Sequence, residues 1–150
     1  MQPTQVIINE LAALLAADAG SLAPVSGGVK VHLIIANFAP GLGTDFMTLT
    51  EATFTGGAAL LAAAGAQQVF RDPVSGDQIV QLIEPVGGWH WKATAGTLLP
   101  QTVFGYAVTD NASAVTYGSN LFPTPILIQA TGDGVDIAEV RFNLSQEALS

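Results

Sequence analysis

The chain has 150 residues and a formal charge of −8, from 12 Asp and Glu against 4 Lys and Arg, and it contains no cysteine. Direct nucleic-acid binding is argued against, because it needs clustered cations to displace counterions; a disulfide framework and a thiolate zinc site are excluded. Hydrophobic residues reach 49% while charged residues fall to 11%, well under the ~25% usual for soluble domains, so burial against copies of itself or a partner is expected.

The nearly apolar runs Leu11–Ala17 and Ala58–Ala64 fall short of the ~20 residues of a membrane-spanning helix. No membrane partner is expected. The N-terminus lacks Lys or Arg before its apolar stretch and carries Glu10 within it, unlike a secretory leader.

In chain order, residues 1–19 read as a helix opened by Pro3, with Ile7, Leu11, Leu14 and Leu15 in one stripe and Gly20 as its stop. Gly20–Gly28 reads as a linker by composition, which divides the chain into 1–28 and a domain over 29–150. The stripe folds back on the domain or anchors on a neighbour. Val29–Ala36 is a β-branched strand, and Pro40–Gly43 a loop. At Thr48–Gly56, Thr50 is the candidate cap of a short helical turn, with Glu51 in its first turn. Ala58–Ala66 has helix-forming residues inside a strand-rich region, so propensity and context pull apart there.

Gln68–Asp72 and Gln78–Glu84 flank the turn formers D-P-V-S-G-D and read as a hairpin. Trp89–Ala93 is a short strand. Thr102–Asp110 is apolar on both faces and reads as an interior strand, with Val103, Gly105, Ala107 and Thr109 on one side and Phe104, Tyr106 and Val108 on the other. Gly105, between two aromatics, marks a bend or a close backbone approach. A turn at Asn111–Ser113 leads into Ala114–Tyr117. Pro123 and Pro125 suit an edge or a strand start, and Ile126–Ala130 with Val135–Leu144 reads as a terminal hairpin around Thr131–Gly134. About eight short strands give a mainly β fold, an antiparallel sandwich or jelly roll with an N-terminal amphipathic helix.

Few residues could carry chemistry. His32 and His90 are predicted on separate strands without acidic residues at metal-ligand spacing, and no G-x-S-x-G elbow accompanies them. Trp89 and Trp91 share one strand face and suit either packing in a core or interface, or a stacking platform for sugars. Asp72, Asp77, Asp133 and Asp136 fall in turns without an EF-hand's spacing. Glu51 and Asp110 are paired carboxylates only if the fold joins them. Neither a catalytic residue nor a cofactor nor a metal is expected.

Three segments resemble a group of small virion proteins of tailed bacteriophages and their metagenomic relatives. P-T-Q-V-I-I-N-E-L-A-A-L-L (Pro3–Leu15), leading to V-K-V-H-L-I-I-A-N-F-A-P (Val29–Pro40), is similar to their Pro-led helix and first strand. L-T-E-A-T-F-T-G (Leu49–Gly56) resembles their Thr-Glu-Ala, aromatic and Gly signature. V-F-G-Y-A-V-T-D (Val103–Asp110) and G-D-G-V-D-I-A-E-V-R-F-N-L (Gly132–Leu144) resemble their Gly-Tyr strand and last hairpin. The chain departs from the pattern at Gly57, where an aromatic is usual, and in the Ala-rich stretch after it. The resemblance implies a virion structural protein without an active site, made in the host cytoplasm and carried on the particle exterior. Its expected role is capsid decoration as a symmetric oligomer, a trimer at local three-fold positions, with the major capsid protein or a tail component as partner. A tail or fibre module that binds a receptor or glycan through Trp89 and Trp91 is the alternative.

Overall fold

The computed structural model describes residues 2–5, 28–62 and 67–144. Among the described residues ten strands build three antiparallel sheets. The largest has the order β1 (Gln2–Pro3), β8 (Thr116–Ile128), β7 (Gln101–Asp110), β2 (Val29–Ile34), β3 (Leu60–Ala62). The second sets β10 (Arg141–Leu144) beside β5 (Gln78–Leu82) and β4 (Gln67–Arg71), and the third pairs β6 (Trp89–Lys92) with β9 (Gly134–Ile137). One apolar cluster joins all three, drawing Leu33 and Val108 from the first sheet, Val80 and Phe142 from the second, and Trp91 and Val135 from the third.

The interior strand stands where its two apolar faces require, since β7 is flanked by β8 over Gln101–Thr109 and by β2 over Gly105–Asp110. Its faces differ from the simple alternation at one point. Val103 packs in the same cluster as Tyr106 and Val108, not with Gly105, Ala107 and Thr109. The register is irregular at the same point: Val103 pairs with Ile126 but Gly105 with Leu121, so Phe122–Pro125 of β8 stand against Phe104 alone. A second shift sets Val108 against Gly118 and Thr109 against Thr116, and the ring of the intervening Tyr117 is buried in the core.

The Gln67–Leu82 hairpin forms around the Asp72–Asp77 turn as expected. Pro123 and Pro125 stand at an edge, one of the two places expected of them: they lie inside β8 beyond the Gly118 and Ser119 that pair with β1, at the break in register with β7, where a missing N–H costs no regular ladder bond. Other local signals are overridden. The terminal hairpin does not form. Ile126–Ile128 stay on β7, and the Thr131–Gly134 turn passes the chain to β9 on β6, then to β10 on β5. The turn itself is held to Ala93, which accepts from the Gly132 N–H and donates to the Asp133 carbonyl.

Pro3 does not open a helix. Gln2–Pro3 is an edge strand on β8, continued by the Thr4 N–H bonded to the Tyr117 carbonyl. Ile7, Leu11, Leu14 and Leu15, and all of the Gly20–Gly28 linker but its last residue, lie outside the described residues. So do residues 63–66; in what precedes them, Leu60–Ala62 is extended and pairs with Val29–Val31, tertiary pairing having overruled helix propensity. The short helical turn is a single 3-10 turn at Phe46–Thr48. Its cap is Asp45, whose side chain accepts from the Met47 N–H, rather than Thr50.

Candidate functional site

The alternation of Val29–Ile34 gives β2 two different faces. Val29, Val31 and Leu33 enter the core, while His32 points to the other side of the sheet, opposite Ala107 of β7, which is itself opposite Ser119 of β8. Small residues on β7 leave room on that face for an imidazole, and His32 is nearly sealed, at 3% exposure.

Both of its ring nitrogens are engaged. Nδ1 lies 2.7 Å from Oε1 of Glu51, and Nε2 lies 2.8 Å from Oγ1 of Thr109. Thr109 is two residues beyond Ala107 on β7 and fully buried. Glu51 comes from a separate segment, which pairs with the upper half of β2: the Ile35 N–H donates to the Thr50 carbonyl, the Ala52 N–H to the Leu33 carbonyl, and Glu51 bridges Ile34. Phe46 covers the imidazole, with ring centroids 4.1 Å apart and planes tilted by 33°. The turn that carries it is tied down by the Phe46 N–H, which donates to Thr116 Oγ1 at 2.8 Å.

Thr109, His32 and Glu51 thus stand in the order hydroxyl, imidazole, carboxylate, the order of a nucleophilic triad. A cleft of about 400 Å³ opens along residues 36–50, and one of about 330 Å³ lies between Thr4, Leu42, Asp45 and Thr116; neither is lined by Thr109, His32 or Glu51. The two hydrogen bonds of the imidazole tie β2, β7 and the 46–51 segment together. The sequence carried half of this signal, in the shared face of Gly105, Ala107 and Thr109; the arrival of Glu51, 19 residues after His32, has no local trace.

The Trp pair takes the first of its two readings, packing in the core. Trp89 and Trp91 are 2% and 1% exposed, and the Trp91 Nε1–H donates to the Ala58 carbonyl at 3.0 Å. With both rings inside the core cluster, neither offers a face to a sugar. Between them, His90 points outward opposite Asp136 on β9 and is hydrogen-bonded to it through Nδ1.

The remaining carboxylates close turns. Asp72 accepts from the Val74 and Ser75 N–H groups, and the Val74 bond in the first place holds its carboxyl below the usual range. Asp133 accepts from the N–H groups of Gln129 and Ala130, which lower its carboxyl in the same way. Asp110 accepts from Ala114 and Val115, while Glu51 is bound to His32, so these two each have their own partner. Among the described residues no group of three or more His, Asp or Glu gathers to hold a metal ion, and no helix is long and apolar enough to cross a membrane. No family model, curated protein or solved structure matches the chain.

Proposed function

We propose that this chain is a non-enzymatic structural protein of a tailed-bacteriophage virion, a capsid decoration protein that stands as a symmetric oligomer on the particle exterior. Within that reading the three sheets form a sandwich of jelly-roll type, and the apolar stripe Ile7, Leu11, Leu14 and Leu15 is a helical anchor to the shell or to a neighbouring copy. A trimer suits local three-fold positions.

The observation that carries the proposal is the imbalance between apolar and charged surface. Hydrophobic residues make up 49% and charged ones 11%, and although the core takes its share, Met47, Val74, Val86 and Leu98 remain more than half exposed. A chain with few charges to solvate its exterior gains by covering such side chains with copies or a shell. Its charge of −8 supports an outside position, away from packaged DNA. The burial of Trp89 and Trp91 supports this reading over a glycan-binding tail module.

The test is the assembly state of the purified full chain by light scattering, followed by cryo-EM of the native particle. A closed homo-oligomer at micromolar concentration and density on the outer shell are expected. A monodisperse monomer that leaves no density on the particle would end the reading.

A further inference from the structure

Apart from Asp110, the chain carries no charged residue between Lys92 and Asp133, and none between Glu51 and Arg71. The fold brings parts of these stretches together at one end of the β7–β8 pair. Gln101 and Thr102, which open β7, pair with Ile128 and Leu127, which close β8. The Gln101 side chain accepts from the Thr53 N–H and donates to Thr53 Oγ1 at 2.7 Å and to the Leu98 carbonyl at 3.0 Å. The Thr94 N–H donates to the Thr55 carbonyl. Residues 52–58 and 94–100 thus join the adjoining ends of β7 and β8 in one surface without a charged side chain, while Asp110 stands at the other end of β7, opposite Val29.

Leu98 and Leu127 are the exposed apolar side chains of this end, at 60% and 53%. Leu98 has a φ of +66°, left-handed backbone that glycine or asparagine takes readily and that disfavours leucine. Gln101 fixes it there through its carbonyl. Strain of this kind gathers where a side chain must be presented to a ligand or a partner. The other apolar side chains that are more than half exposed stand near carboxylates in the chain. Leu42 and Met47 flank Asp45, Val74 lies between Asp72 and Asp77, and Val86 follows Glu84.

From this we infer that the uncharged end around Leu98 and Leu127 is the surface through which one copy of the chain meets another. The inference rests on the self-association in the reading above and names its contact. Charge selects the occupant. Copies that each carry a charge of −8 repel one another, and they come together most readily where neither brings a carboxylate into the contact. Depletion of charge at the centre is also the general pattern of protein interfaces. At the border stand Lys92 and Asp133, of opposite sign, and the Asp133 carboxylate is turned to the Gln129 and Ala130 N–H groups.

The experiment is sedimentation velocity on the full chain over a concentration series, with four variants. Leu98→Asn keeps a residue suited to positive φ, and Leu127→Thr keeps a strand former. Each is expected to weaken self-association by about tenfold or more, as a change at the centre of a contact does. Val74→Thr and Val86→Ser alter more exposed side chains that stand near carboxylates, and are expected to leave association unchanged. Leu98→Asn is also expected to hold or raise the urea midpoint, which separates a lost contact from a lost fold. Unchanged association in Leu98→Asn and Leu127→Thr, or an equal loss in Val74→Thr and Val86→Ser, would overturn this surface. The virion reading would stand in that case, since density on the particle tests it separately. A parent chain that stays monomeric would overturn the choice of a second copy, and particle density at this end would then put a shell protein there. Should Leu127→Thr lose its fold, Leu98→Asn decides.

Discussion

At Gly105 the backbone of β8 passes so close that an added Cβ would stand 2.0 Å from the Asn120 carbonyl oxygen. Backbone cannot yield as a flexible side-chain tip does, so Gly105→Ala is expected to destabilise the fold by roughly 1–3 kcal/mol or more, the overpacking range, measured by urea unfolding; an unchanged midpoint would show that the strands can part. Gly56 is held twice over, by a φ of +99° and by the Lys92 carbonyl oxygen 1.9 Å from where a Cβ would be. Trp91→Ala removes a fully buried ring and its bond to Ala58, with an expected loss of about 3–5 kcal/mol. The turn carboxylates set the acid limb of stability. Asp72 and Asp133 have carboxyls lowered from 3.8 in the folded state by backbone N–H donors. Their contribution is thus present above 3.8 and lost as pH falls through the lower folded values. Asp133→Asn is expected to flatten the fall in melting temperature below pH 3.8, and an unaltered acid limb in that variant would refute the assignment.

Strands divide by position. β7 is bonded on both sides and β2 likewise, whereas β3 pairs through three residues at the sheet edge. Amides of Gly105–Thr109 are therefore expected to exchange last and those of Leu60–Ala62 among the first; the reverse order in a hydrogen-exchange series would contradict this division. Much at this scale was legible from residue type. Val29–Ile34, the Gln67–Leu82 hairpin and the interior strand each follow from β-branched runs bounded by turn formers. The edge strand at Gln2–Pro3, the 3-10 turn capped by Asp45 and the passage of residues 134–144 to two other sheets were not legible, because each depends on a partner more than 30 residues away or on a cap that competes with neighbours of similar propensity.

For the whole molecule, the balance of charge and apolar area bears on association. The buried Tyr106 marks how dry the common core is: burial raises its phenol above 10.0 despite a hydrogen bond with Asn120. A phenol raised in the folded state adds stability that is present below 10.0 and lost as pH rises through the folded value. Alkaline titration at 295 nm is accordingly expected to show the Tyr106 phenol ionising above the usual range. Composition and alternation determined the strand-rich class, the interior strand and the shared face of the two tryptophans, since each depends on residues adjacent in the chain. The polar cluster of His32, Thr109 and Glu51 was decided by tertiary structure alone. Its members come from a strand, a second strand 77 residues later and a connecting segment, and no periodicity along the chain records which distant carboxylate a buried imidazole will meet.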